Sequence, residues 1–209
     1  MFAILFIVLI VMICTVNVQP IGPEGTSIGL ASLNKAFHDA FYESELWYKI
    51  SELFGYLSLA IAGAFVIAGG CQMIKRKSLF KVDGKLIALG GLYAVMVFLY
   101  SFFEVIVVNY RPVIMAGAEH VEASFPSSHT MLTCVIMGGA FVLIGGYIKS
   151  RGIKIALQSI AIAVAAITVI GRLLSGVHWF TDILGGVFIS LCLVNLYAAV
   201  CDLIESKKE

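Results

Sequence analysis

Charge is what this 209-residue sequence has least of: acidic and basic side chains make up 13% of it, hydrophobic ones 60%, and the mean hydropathy is +1.00. That balance excludes an ordinary soluble domain and leaves an integral membrane protein. An excess of either sign is missing too, since 14 basic residues meet 13 acidic ones, so no nucleic-acid partner is expected. The cysteines, Cys14, Cys71, Cys134, Cys192 and Cys201, lack CxxC or CxxH spacing and fall in or beside apolar runs. They read as small buried hydrophobes, and neither a disulfide nor a metal site is inferred from them. The first apolar run lacks the basic leader and small-x-small cleavage motif of a secretory signal, so it reads as an uncleaved helix.

What is present is a series of apolar runs, at about 2–16, 54–74, 86–108, 130–148, 155–172 and 183–201. A helix needs roughly 20 residues to cross about 30 Å of hydrocarbon. The expected fold is therefore all-α, a polytopic bundle of six transmembrane helices forming a single membrane domain over residues 1–209. Residues 1–16 supply the first helix, 17–51 an extracytoplasmic or interfacial segment, and 52–205 a five-helix core. Loop charge sets the orientation. Lys75, Arg76, Lys77, Lys81 and Lys85, then Lys149, Arg151 and Lys154, then Lys207 and Lys208 all fall on one side of the alternating runs. Positive loops stay cytoplasmic, which puts both termini inside and Lys35, Lys49, Arg111 and Arg172 on the opposite face. A bacterial inner (plasma) membrane suits an uncleaved chain with so little soluble mass.

Within 17–51, Leu30, Leu33, Phe37 and Phe41 recur at helical spacing beside Trp47 and Tyr48. This stripe fits a helix lying in the interface, or equally a loop packed over the bundle. Glycine pairs such as Gly138-Gly139 and Gly185-Gly186 point to close helix packing.

Three polar islands interrupt the apolar pattern: Arg111-Pro112, then Phe125-Pro126-Ser127-Ser128-His129, then Arg172 followed by His178 and Asp182. All lie at the outer ends of the expected crossings. Ionisable groups at membrane depth cost about 2.5–3.5 kcal/mol each on insertion scales and are normally functional. Together these residues suit phosphoryl transfer through a covalent histidine. His178 and Asp182 are four residues apart, so the carboxylate is expected to hold one imidazole nitrogen and leave the other as nucleophile. Arg111 and Arg172 offer forked donors to phosphate oxygens. Ser127, Ser128 and the amides that open the fourth crossing add an anion cradle. His129 is the expected general acid for the leaving oxygen. The chemistry calls for neither a metal nor a cofactor.

The islands resemble the motifs of the type 2 phosphatidic acid phosphatase (lipid phosphatase and haloperoxidase) superfamily, namely Lys-x6-Arg-Pro, Pro-Ser-Gly-His and Ser-Arg-x5-His-x3-Asp. Here they read Glu104-x6-Arg111-Pro112, Pro126-Ser127-Ser128-His129 and Gly171-Arg172-x5-His178-x3-Asp182. The resemblance covers about residues 50–205 and implies His178 as nucleophile, Asp182 as its partner and His129 as acid. Arg111, Ser127, Ser128 and Arg172 become the phosphate ligands. The implied substrate is a lipid phosphate of the phosphatidate, phosphatidylglycerophosphate or undecaprenyl diphosphate type, cleaved at the extracytoplasmic face among membrane lipids. A lipid phosphotransferase and a non-catalytic lipid-phosphate-binding protein are the alternatives. Glu104 reverses the charge of the family lysine; either it pairs with Arg111 or Arg172, or it alters or abolishes the activity.

Four other residues carry plainer expectations. His120 is expected to hydrogen-bond a neighbouring helix, Glu119 and Glu122 to be solvated loop charges, and Trp179 to be an interfacial anchor.

Overall fold

The computed structural model describes residues 1–41 and 44–207. Lys208, one of the tail charges used for orientation, lies outside them. Seven α-helices occur among the described residues: α1 (Phe2–Thr15), α2 (Ala31–Ala40), α3 (Glu45–Arg76), α4 (Gly84–Val105), α5 (Ser128–Tyr147), α6 (Arg151–Leu174) and α7 (Phe180–Ser206). No strand is present among them; extended pairing is confined to isolated antiparallel bridges, Gln19 with Ile28 and Tyr110 with Ala123.

Short polar residues set several of the helix starts. The Ser44 hydroxyl accepts the Trp47 amide at the head of α3, and the Asp83 carboxylate accepts the Lys85 amide at the head of α4. Each satisfies a donor that the first turn would otherwise leave unpaired. Five helices, α3 to α7 without α2, are long and apolar enough to cross a membrane. The expected sixth crossing is shorter. At 14 residues, α1 extends about 21 Å, less than the hydrocarbon thickness. It lies along α7 and buries Phe6, Leu9 and Ile13 against Phe103 and Phe125.

The bundle is organised around α5, half of whose apolar window is buried against 6% for that of α3. Leu89, Leu92 and Met96 of α4 meet Met131, Val135 and Ile136 of α5 and Leu193 and Tyr197 of α7 in one core. Two of the glycine pairs occur where helices crowd. At Gly186 on α7, an added Cβ would stand 2.9 Å from the Thr130 side chain and 3.0 Å from the Ser127 carbonyl oxygen, so bare backbone is required there. The cysteine expectation fails in part: Cys201 is buried, but Cys14 and Cys71 are exposed on the outward faces of α1 and α3, where lipid replaces core.

The segment before α3 does pack over the bundle. Helix α2 turns Asn34 inward, where its amide donates to Thr181 Oγ1 at 3.0 Å and its carbonyl accepts the Thr181 amide at 3.1 Å. Phe37 stacks on Phe180 beside this pair. At the opposite end of the bundle, Lys85 is ion-paired with Glu205 and lies over the Tyr147 ring. The starts of α5 and α7 and the end of α6 are thereby gathered at one end, with the basic loops at the other.

Gly186→Ala is expected to cost about 1–3 kcal/mol through overpacking and to lower the melting temperature in detergent. Gly63→Ala, where an added Cβ meets nothing within 4 Å, should leave melting unchanged. Equal melting of the two variants would contradict this packing.

Candidate active site

Four separate stretches of chain deliver the site. Between α4 and α5 the chain folds back on itself through the Tyr110–Ala123 bridge. The Arg111 amide donates to the Glu122 carbonyl at 3.0 Å and the Ser124 amide to the Asn109 carbonyl at 2.9 Å. This register sets Arg111 opposite Glu122 and Ser124 opposite Asn109. Between α6 and α7, Gly176 turns the chain at φ +70°, a left-handed conformation that favours glycine. The tight turn brings His178 back over Arg172 only six residues earlier.

His178 is the focus. Its Nε2 stands 3.5 Å from Arg111 Nη1 and 3.4 Å from Arg172 Nη2. Its Nδ1 meets Ser124 Oγ at 3.0 Å. Burial, with Arg111 and Arg172 alongside, holds the imidazole well below the usual histidine range, because both effects disfavour a second positive charge. The ring is neutral at physiological pH.

Asp182 does not touch the imidazole, contrary to the four-residue spacing. The i to i+4 rule needs both residues on one helix, and His178 precedes α7, whose N-cap is Trp179. The fully buried carboxylate instead accepts Ser124 Oγ at 2.6 Å, the Trp179 amide at 3.0 Å and Asn109 Nδ2 at 3.1 Å. Contact with His178 passes through Ser124.

The two arginines differ. Arg111 Nε lies 3.2 Å from Glu122 Oε2, close enough for an ion pair although the N–H is not aligned for a hydrogen bond. Arg111 Nη1 also donates to the Val177 carbonyl at 3.4 Å. Arg172 is 1% exposed, lies 5.1 Å over the Tyr48 ring, and leaves Nε and Nη1 without a partner. Ser127, at the N-cap of α5, is fully buried with its hydroxyl also unpartnered. Buried donors left idle are costly. The idle nitrogens of Arg172, whose Nη2 stands 3.4 Å from His178 Nε2, suit an anion with several acceptor oxygens.

His129, in the first turn of α5, sits against Gly55 of α3. With Ser128 it closes the inner end of an apolar cavity of about 220 Å³, walled by Tyr56, Leu59, Met96, Val97 and Tyr100 between α3 and α4. A second, narrower cleft joins Tyr100, Glu104, Arg111, Ser128 and His178.

All seven residues singled out for chemistry therefore lie at one end of the bundle. Other expectations change. Helix α4 stops at Val105, so Glu104 and Arg111 share no helical face, and Arg111 takes Glu122 as its carboxylate. Glu122 is thus more than a solvated charge. Trp179 is no interfacial anchor: it is buried and its indole donates to the Tyr110 carbonyl at 2.8 Å. His120 bonds a loop carboxylate and not a helix, pairing with Glu24 at 3.0 Å. That contact, with a second from the Val121 amide, holds the Glu24 carboxyl below its usual range. Ser124, Asn109 and Glu122 escape motif reading because loop register alone brings them in.

The sequence matches the family model described as PAP2 superfamily over residues 85–202. Among solved structures, it is similar to the first transmembrane PAP2 type phosphatidylglycerolphosphate phosphatase from Bacillus subtilis, at 20% identity and TM-score 0.70, covering 96% of this chain and 94% of that one. It also aligns with LpxE from Aquifex aeolicus, at 19% identity and TM-score 0.47, covering 80% of this chain and 93% of that one. No curated protein matches it.

A pH consequence follows from the neutral His178. Its folded-state affinity for a proton is depressed, so below about pH 6.5 the unfolded chain takes up a proton that the folded chain refuses, and stability falls as pH falls. Melting in detergent should drop on acidification from pH 7 toward 5, and His178→Asn should flatten that slope. An identical slope in the variant would contradict the assignment.

Proposed function

Because the chain belongs to the PAP2 superfamily, we propose that it is an integral membrane lipid phosphatase working through a phosphohistidine, without a metal. The observation that carries this is the convergence of Arg111 and Arg172 on Nε2 of a neutral His178, with Arg172 Nε and Nη1 unpartnered among the described residues. A phosphate group seated there would present its phosphorus to the bare Nε2. The lone pair attacks, the N–P bond forms, and the bond to the lipid oxygen breaks with its electron pair on the leaving oxygen. His129, protonated for this step, gives that oxygen its proton. Water then attacks phosphorus, yields a proton to His129, and the N–P electrons return to Nε2. Arg111 and Arg172 stabilise the charge of both in-line transition states. Asp182 balances the positive ring through Ser124.

The apolar cavity ending at His129 supports a lipid substrate. It is lined by α3, α4 and α5, so a tail seated there would lie between helices while the phosphate reaches the socket. Phosphatidate, phosphatidylglycerophosphate and undecaprenyl diphosphate all have this form, and the same intermediate attacked by a lipid alcohol would give a phosphotransferase.

The proposed topology keeps six crossings, with α1 inserted beside α7, both termini cytoplasmic, the site extracytoplasmic and the catalytic core over residues 52–205. The basic loops at the end away from His178 support it, as does the positive-inside bias. The membrane is proposed to be a bacterial inner membrane.

Phosphate release from those three lipids in detergent should persist in EDTA and fall by at least about 10³-fold in His178→Ala. Loss of activity in EDTA, or undiminished turnover in the variant, would refute the proposal. For topology, Glu119→Cys in a cysteine-free background should react with an impermeant thiol reagent from outside; protection until lysis would reverse the orientation.

A further inference from the structure

Between the imidazole and the carboxylate stands a hydroxyl that no motif announces. Ser124 is buried, 3% exposed, and its Oγ lies 3.0 Å from His178 Nδ1 and 2.6 Å from Asp182 Oδ2. We infer that Ser124 is a positioning residue that sets the tautomer of His178, relaying the hold of Asp182 so that Nε2 is the nitrogen left bare.

The proton inventory decides the direction of each bond. Asp182 is surrounded by donors: the Trp179 amide and Asn109 Nδ2 have no protonation alternative. A carboxylate held this way is an acceptor, so the shorter bond is Ser124 O–H donating to Oδ2. The hydroxyl has one proton. Having spent it on Asp182, Ser124 offers only lone pairs to His178, and Nδ1 must carry the hydrogen. The second proton of a charged imidazole is refused by burial beside Arg111 and Arg172, each of which sets one guanidinium nitrogen, Nη1 and Nη2 respectively, against Nε2. The alternative tautomer, with hydrogen on Nε2, would set that N–H against two guanidinium groups and leave Nδ1 and Ser124 Oγ both without a donated proton. Geometry and charge therefore select the same form.

No proton travels along the chain in this account. When the N–P bond forms, the ring becomes positive, Nδ1–H stays donated to Ser124 and the serine proton stays on Asp182. The hydroxyl transmits the charge of the carboxylate across one extra bond, and Asn109 fixes the far oxygen so the line keeps its direction.

This inference rests on the phosphohistidine reading, and its test separates the two. Wild type, Ser124→Ala, Ser124→Thr and His178→Ala are purified as full chains in detergent, checked by melting, and assayed on whichever of phosphatidate, phosphatidylglycerophosphate and undecaprenyl diphosphate wild type cleaves fastest. Ser124→Ala should lose about a hundredfold in kcat with KM within about threefold of wild type, since the arginine socket is intact. Ser124→Thr, which keeps the hydroxyl, should recover at least about tenfold of that loss. In parallel, 15N-histidine NMR of substrate-free wild type, with His178 assigned by substitution, should show Nδ1 protonated and Nε2 bare, and a mixed tautomer in Ser124→Ala. Turnover in Ser124→Ala within threefold of wild type, a loss confined to KM, a folded Ser124→Thr no better than Ser124→Ala, or Nε2–H in wild type overturns the inference. Full activity in His178→Ala instead overturns the nucleophile, and the tautomer measurement, which needs neither substrate nor variant turnover, still decides the relay.

Discussion

The buried carboxylate of Asp182 is the constraint on which the catalytic end depends. Its bonds to Ser124, Asn109 and the Trp179 amide tie the loop before α5 to the first turn of α7. The return contact is main-chain: the Ser127 amide donates to the Asp182 carbonyl at 2.9 Å. One residue thus anchors both the helix start that carries Ser127, Ser128 and His129 and the turn that carries His178. An isolated carboxylate in an apolar interior is prohibitively costly, whereas one with three good donors is not. The cost of burying it is offset by bonds that also hold Ser124 against His178.

Around that anchor the site is electrically unfinished. Arg111 has Glu122 as a counter-charge, but Arg172 is buried with two idle nitrogens and an aromatic face. Tyr48 and Glu52 offset part of its charge. A phosphate would supply the missing negative charge and the missing acceptors together, so ligand binding and relief of an unpaired buried cation are one event. Burial, together with the same two guanidinium groups, disfavours a proton on His178.

Much of this is legible from residue order, and the failures have physical causes. Helix positions follow from apolar run length, and the three islands converge because alternate helices bring their outer ends to one layer. Helical spacing does not predict the relation of His178 to Asp182 because an N-cap separates them; the chain is not helical at His178. Glu104 and Arg111 fail for the same reason at the other end of α4. Trp179 looks like a membrane-interface residue by type, yet its indole finds the Tyr110 carbonyl and is buried. Ser124, Asn109 and Glu122 depend on a single bridge between two limbs of a loop, a non-local register that leaves no periodic trace. Glu104 stays close to the site without an ion pair, lining the cleft beside Tyr100 and Arg111.

In the proposed mechanism, Nε2 of His178 is the atom that takes the phosphoryl group. The direct measurement is to mix wild-type protein with excess lipid phosphate, quench in alkali within the first turnovers, and map phosphorylated peptides by mass spectrometry. A phosphoryl group on Nε2 of His178, acid-labile and alkali-stable, is the predicted result. Turnover with no adduct on any histidine, or an adduct on His129 instead, would contradict the account.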